Sequence, residues 1–297
     1  MSNLLVELST AMADAAEKAS LSTVMVDARR RMSASGIAFA GDLILTAHHV
    51  VERDEGIKIT LADGSEVAAS LAGRDPGSDL AVLKLERAAA DPAEAAVGVK
   101  IGQLVLALGR PSRDGFEASL GVISAVGGPV RTPHGSLEKY IRTDAILYPG
   151  FSGGPLVNAE GKVAGLNTSG FGPGAVLTIP AEIAWKIGAQ LAEHGSITRG
   201  YLGIRSQPVE IPPAALKTLA REQKVGLLII SVESGSPADV GGLIVGDILV
   251  GFDGQPVADH EDLFARLTGD VVGKSTAVEV LRGGQPSVLR VKTGERR

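Results

Sequence analysis

The chain has 297 residues, 44% hydrophobic and 21% charged, with a net charge of −5 and no cysteine. These figures exclude an intrinsically disordered chain, a disulfide-stapled fold, a thiol nucleophile and thiolate metal sites. Thirty-eight glycines and only 3% aromatics predict turn-rich cores of Val, Leu, Ile and Ala, over a length that suits two domains.

Residues 2–20 place Leu4, Leu5, Leu8, Met12, Ala15, Ala16 and Ala19 on one face of an amphipathic helix. Such a helix either packs on its own domain or forms an oligomer contact. The run Arg29-Arg30-Arg31 reads as a solvated turn. Without a basic stripe interleaved with aromatics, no nucleic-acid partner is expected. From Thr23 to Asn167, short β-branched runs alternate with turn signals, among them STVMVDA, GIAFAGDLILTA, LAVLKLE and ASLGVISAVGG. Asp63-Gly64, between IKITL and EVAAS, predicts a hairpin turn. Many short strands with glycine-rich turns mean a β-sandwich or barrel.

Helical periodicity returns at 180–194, with Pro180 suited to the first turn and Gly195 to the stop. The segment GSITRG (195–200) reads as a linker, and the compact unit beyond it mixes strand and helix signals. The longest apolar run, 225–232, is broken by Gly226 and too short to span a bilayer. A basic n-region with an apolar h-region is missing at the start, so the expected compartment of the chain as given is the cytoplasm. If the N-terminus is processed, the expectation becomes a periplasmic or extracellular protein.

Chemistry-bearing residues occur in a telling order. LILTAHHVV sets His48 and His49 after an apolar strand, GSDLAVLKL sets Asp79 before another, and GFSGGPLV supplies Ser152. Gly150-Phe151-Ser152-Gly153-Gly154 fits the nucleophile elbow of α/β-hydrolases as well as the serine loop of chymotrypsin-like proteases. The elbow belongs to the order Ser…Asp…His and needs a helix after the serine. Here the order is His…Asp…Ser, and a hairpin pattern follows, PLVN-AEGK-VAGLN. The elbow therefore fails, and with it a small-ester hydrolase.

A serine hydroxyl needs an imidazole to take its proton, a carboxylate to hold that imidazole, and backbone N–H groups for the oxyanion. Ser152 fits the nucleophile, Asp79 the orienting carboxylate, and the N–H groups of Gly150 and Ser152 the oxyanion hole. His48 and His49 compete for the base. Asp144 reads as a structural acid, and His134 and His194 as surface residues. The chemistry calls for no metal and no cofactor.

ILTAHHVV, SDLAVLKL, LALGRP, LGVISAV, IRTDAILYPGFSGGPLVNAEGKVAGLN and LTIP together resemble the HtrA (Deg) family of trypsin-like serine proteases. The family's T-x-x-H pattern, Thr46-Ala47-His48-His49, assigns the base to His49. The resemblance implies a mostly β fold: a chymotrypsin-like pair of perpendicular six-stranded barrels holding His49, Asp79 and Ser152, then a PDZ domain. The expected boundaries are an N-terminal helix at 1–22, the protease domain at 23–195 and the PDZ domain at 196–297. Phe151 departs from the family, which usually has Asn before the serine. The specificity-pocket floor falls on Ile146, with Val176 in the wall, which implies cleavage after small or medium aliphatic residues.

In the last unit, RGYLGI and GLLIISVESGSPADVGGLIVGDILVGFDGQPV resemble an HtrA-type PDZ domain. Tyr201, Leu202, Gly203 and Ile204 match the carboxylate-binding loop, and a helix at 260–267 supplies Leu263, Phe264 and Leu267 to the groove. His260 reads as a solvated residue at the start of that helix. The resemblance thus implies an ATP-independent endopeptidase acting through an acyl-enzyme on unfolded or damaged proteins. Its PDZ domain would bind peptide C-termini, and the protein would be a homo-oligomer, a trimer or a multiple of three, without a membrane span. The family's aromatic trimer contact has no counterpart before Phe39, which moves the expected contact to the first helix. The competing reading is a proteolytically inactive chaperone or PDZ scaffold.

Overall fold

Helix α1 (Leu4–Ser20) begins at Asn3, whose side chain accepts the Leu5 N–H at 3.2 Å. Only the second half of its apolar face is covered: Met12, Ala15, Ala16 and Ala19 are buried, while Leu4, Leu5 and Leu8 are exposed. This computed structural model describes residues 3–132, 135–172, 176–197, 199–216, 218–219, 221–267 and 271–296. The chain divides into two units, Met1–Ile197 and Thr198–Arg297.

In the first unit, β1 (Thr23–Asp27), β2 (Ala34–Ala40), β3 (Leu43–Ala47), β4 (Ile57–Thr60), β5 (Glu66–Asp75) and β6 (Leu80–Leu85) close into a barrel in the order β1-β2-β3-β6-β5-β4. Asp63-Gly64 makes the β4–β5 turn, with Gly64 at φ +82°. A hairpin of β9 (Val130–Thr132) and β10 (Gly135–Leu137) hangs on the second barrel's segment of chain. That barrel is built of β7 (Leu104–Ser112), β8 (Gly115–Gly127), β11 (Tyr140–Thr143), β12 (Pro155–Asn158), β13 (Val163–Thr168) and β14 (Leu177–Pro180), in the order β11-β14-β13-β12-β7-β8. The ladders of both barrels are antiparallel and each barrel closes on itself, so its strands have no free sheet edge.

Aliphatic side chains fill the first core, including Val24, Val26, Ile37, Ile44, Leu45 and Leu83. Phe151 is the largest side chain in the core of the second. Helix α2 (Ala181–His194) follows β14 and ends at Gly195, whose φ of +75° lets its N–H cap Leu191 O at 2.9 Å. Arg110 of β7 is buried, and burial lowers its guanidinium below the usual arginine range. It donates to Thr23 O at 2.9 Å and Ser20 O at 3.3 Å, fastening the end of α1 to the second barrel.

The second unit contains β15 (Arg199–Tyr201), β16 (Ile204–Glu210), α3 (Pro213–Leu216), β17 (Val225–Val232), α4 (Pro237–Val240), β18 (Ile248–Phe252), β19 (Gln255–Pro256), α5 (His260–Arg266), β20 (Ser275–Arg282), β21 (Gln285–Lys292) and β22 (Gly294–Arg296). Its main sheet runs β16-β17-β18-β20-β21, with β16 at one edge, and β15 pairs with β22. Leu227, Ile229, Leu249, Phe252, Val278 and Val280 form the core. Residues 199 and 200, expected in a linker, instead belong to β15, because β22 returns to pair with them. Thr198 itself lies outside the described residues. Among the described residues, no helix is long and apolar enough to cross a membrane.

Candidate active site

His49 sits in the short turn that follows β3, and Asp79 ends the loop into β6; β3 and β6 are neighbours in the first barrel. The approach to Asp79 is shaped by Asp75, whose carboxylate accepts the N–H groups of Gly77 at 3.2 Å and Ser78 at 3.0 Å. Asp79 itself has φ +55°, a left-handed conformation that a non-glycine residue adopts only where its surroundings hold it. Two contacts do so. Asp79 O accepts the His48 N–H and its Oδ1 accepts the His49 N–H, each at 2.9 Å. The remaining oxygen, Oδ2, lies 2.8 Å from His49 Nδ1 and also accepts the Thr168 hydroxyl. A buried carboxylate bonded to Nδ1 leaves Nε2 as the ring's proton acceptor.

The serine loop belongs to the second barrel and is tied to β13. Gly153 N–H donates to Asn167 O and Asn167 N–H to Gly154 O, both at 2.8 Å. Gly153 has φ +88°, and a Cβ there would run into Ser35 O and Thr46 Oγ1, so only glycine fits. Phe151 turns its ring inward, fully buried, edge-on to Tyr148 with centroids 5.4 Å apart. The inward position explains its apolar character: a polar side chain there would be buried among Val105, Ala107, Ile123 and Leu156.

Residues 148–151 form a turn closed by Phe151 N–H to Tyr148 O at 3.0 Å, with Gly150 at φ +91°. A positive φ at the third position is the mark of a type II turn. Neither the Gly150 nor the Ser152 N–H donates to an acceptor among the described residues. The Ser152 hydroxyl lies 3.1 Å from Ser169 Oγ, and the next residue, Gly170, abuts the His49–Asp79 pair.

Thr168, Ser169 and Gly170 were not singled out by sequence reasoning. A polar triplet closing an apolar strand, directly after VAGLN, was the available signal. Ser35 was missed as well: its hydroxyl donates to Gly150 O at 2.7 Å and its N–H to Ser152 O at 3.2 Å.

His48 is half-buried; burial pulls its pKa below the ordinary 6.5, and its Nδ1 is buried without a partner. Asp144 accepts the Val122 N–H at 2.6 Å and His194 lies on the surface beside Glu193, whereas His134 falls outside the described residues. Ile146 is 59% exposed and Val176 40%, so neither is a core residue. Residues 173–175, which precede Val176, are also outside the described set.

In the second unit, Leu202, Leu263 and Leu267 are buried in the core, and Phe264 is exposed. Gly203, at φ +80°, leaves no room for a Cβ beside Ser236. The N–H groups of Leu202 and Gly203 donate to nothing among the described residues. Tyr201 donates its hydroxyl to Glu233. His260 differs from its expected solvated role. Its Nε2 lies 3.0 Å from Ser206 O and 3.1 Å from Ser206 Oγ, so the imidazole links α5 to the edge strand β16.

Residues 34–166 match the model of the trypsin-like peptidase domain, and residues 200–293 that of the PDZ domain. A probable periplasmic serine endoprotease, DegP-like, of Ectopseudomonas mendocina (strain ymp) is 35% identical over 268 residues, covering 88% of this chain and 56% of that protein. The protein of the same description from Rhizobium meliloti (strain 1021) is 32% identical over 279 residues, with 90% and 54% covered. The chain thus spans little more than half the length of these relatives. Among solved structures, the HtrA-type protease AlgW with tripeptide is 30% identical, with a TM-score of 0.80 over 96% of this chain and 97% of that one. The serine endoprotease from Yersinia pestis is 28% identical, with a TM-score of 0.79 over 96% and 98%. A closed pair of barrels followed by a PDZ domain agrees with these likenesses: the chain belongs to the HtrA (Deg) family of trypsin-like serine proteases.

Proposed function

We propose that this chain is a serine endopeptidase that cleaves unfolded or damaged proteins, independently of ATP, through an acyl-enzyme. The observation that carries the reading is the His49 Nδ1–Asp79 Oδ2 bond of 2.8 Å, held by a loop in which Asp79 adopts φ +55°. Ser152 attacks the scissile carbonyl, His49 Nε2 takes its proton and passes it to the leaving amine, and Asp79 stabilises the imidazolium. The Gly150 and Ser152 N–H groups receive the oxyanion, a contribution of about 3–4 kcal/mol for one such donor. The Ser152 hydroxyl lies 3.1 Å from Ser169 Oγ, so attack requires it to turn to His49. Casein digestion by the wild type but not by Ser152→Ala is expected; equal digestion by both would refute the assignment.

The pocket assignment follows Ile146 and Val176. An apolar pair offers no partner to Lys or Arg, whose unpaired burial is costly. Peptides with Val or Ala before the scissile bond should be cleaved in preference to those with Arg, and the reverse order would refute the pocket.

The PDZ domain binds peptide C-termini by strand addition at β16, the sheet edge, with the Leu202 and Gly203 N–H groups holding the carboxylate. Titration with a peptide and its C-terminal amide tests this, the amide being expected to bind far more weakly. The curated relatives are named periplasmic, and we place this chain in that compartment. The exposed Leu4, Leu5 and Leu8 support a homo-oligomer formed through α1. Light scattering should show a trimer or a multiple of three that Leu5→Glu dissociates, and a monomeric wild type would refute it.

A further inference from the structure

The serine loop belongs to the second barrel, yet one residue of the first barrel grips it from both sides. Ser35, in β2, is fully buried, and each of its polar atoms is committed. Its N–H donates to Ser152 O at 3.2 Å, and its carbonyl accepts the Thr46 hydroxyl at 2.7 Å. Its hydroxyl donates to Gly150 O at 2.7 Å and accepts the Arg110 N–H at 2.8 Å. The Gly150–Phe151 peptide is therefore fixed at both ends, by Ser35 at its carbonyl and by Tyr148 O at its N–H.

From this we infer that Ser35 is a positioning residue for the oxyanion hole. The inference rests on the acyl-transfer reading above. A turn has two interchangeable settings of its central peptide, type I and type II, and only Gly150 at positive φ belongs to the second. The peptide that swings between them is Pro149–Gly150; Ser35 holds the adjoining Gly150–Phe151 peptide, so any swing that also displaces Gly150 O must break a buried hydrogen bond worth about 1 kcal/mol. With the carbonyl of Gly150 drawn to Ser35, the N–H groups of Gly150 and Ser152 stay available to one acceptor. Without the hydroxyl, Gly150 O and Arg110 N–H are both left buried and unpaired, and the turn relaxes to find other partners. Arg110 adds rigidity, since its own guanidinium is pinned to Thr23 O and Ser20 O. Ser35 has no bond to His49 or Asp79, so its effect is confined to the oxyanion side.

Ser35→Ala separates this role from a merely structural one. Per active site, counted by titration with a fluorophosphonate, kcat should fall about 10- to 100-fold, less than the roughly 100- to 1,000-fold of losing a whole oxyanion donor. KM should stay within about twofold, and the acid limb of the pH profile should not move, because the His49–Asp79 pair is untouched. Affinity for a peptide boronate, which forms the tetrahedral adduct on the serine, should fall by the same factor as kcat/KM. A role in folding alone would lower the titrated fraction of active enzyme while leaving per-site kcat and boronate affinity at the wild-type level, and that result would overturn the inference. If Ser35→Ala does not fold, Ser35→Cys keeps the shape with a weaker donor and should lose several-fold in the same two quantities; wild-type values there would overturn it equally. A wild type that neither reacts with fluorophosphonate nor cleaves casein would refute the protease reading itself, a different failure from an active wild type indifferent to Ser35.

Discussion

Gly170 stands against the bond between His49 and Asp79: a Cβ on Gly170 would come within 2.7 Å of His49 Nδ1 and still closer to Asp79 Oδ2. The backbone at Gly170 thus forms the lid over the pair, with its own N–H bonded to Thr168 Oγ1 at 2.9 Å. Gly170→Ala must push the imidazole or the carboxylate aside. We expect kcat to fall about 100-fold, the scale for an ångström of misplacement. Stability should fall as well, by about 1–3 kcal/mol, because the added methyl overpacks a buried carboxylate; wild-type kcat in this variant would contradict the packing described.

Thr168→Val keeps the shape of the side chain and removes the hydroxyl that Asp79 and Gly170 share. Leaving a buried carboxylate short of one partner should lower stability by about 1–3 kcal/mol. A fall in kcat of about tenfold should accompany it. Urea unfolding together with peptide hydrolysis checks both.

Phe151 fills the second barrel's core from the residue before the nucleophile. Phe151→Ala should cost about 3–5 kcal/mol and loosen the serine loop, so fluorophosphonate labelling slows as stability drops. Tyr148→Ala, at an exposed position, should lose only the ring contact, about 0.5–1.5 kcal/mol. Equal losses in the two variants would contradict the inward placement.

These effects show which parts of the site a sequence can disclose. Ser152, His49 and Asp79 stand in local patterns, each beside an apolar strand, and their order alone chose between two hydrolase folds. Thr168 and Gly170 act only because β13 runs beside β12 and ends over a turn of the other barrel. Ser35 is a serine within a strand, and nothing local distinguishes it from a structural one. The strand pattern of both barrels was legible from β-branched runs and turns, whereas α1 was legible as a helix but not as one covered over half its face. In the PDZ domain the motif marks the loop, yet only packing shows that Leu202, Leu263 and Leu267 face the core and Phe264 does not.

His48 supplies a pH dependence. Burial lowers its folded pKa below 6.5, so the folded state resists the proton that the unfolded chain takes up. This histidine leaves stability intact above pH 6.5 and reduces it as the pH falls from there towards the lowered value. Thermal unfolding of His48→Gln should show a smaller loss of Tm on acidification than the wild type. Parallel Tm curves would contradict the burial of this ring.

The central claim is that Ser152 is the nucleophile activated by His49 and Asp79. Fluorophosphonate treatment followed by peptide mapping in a mass spectrometer tests it most directly. One adduct is expected, on the peptide carrying Ser152, absent from Ser152→Ala and formed several orders of magnitude more slowly in His49→Ala. An adduct on another serine, or equal labelling of wild type and Ser152→Ala, would contradict it.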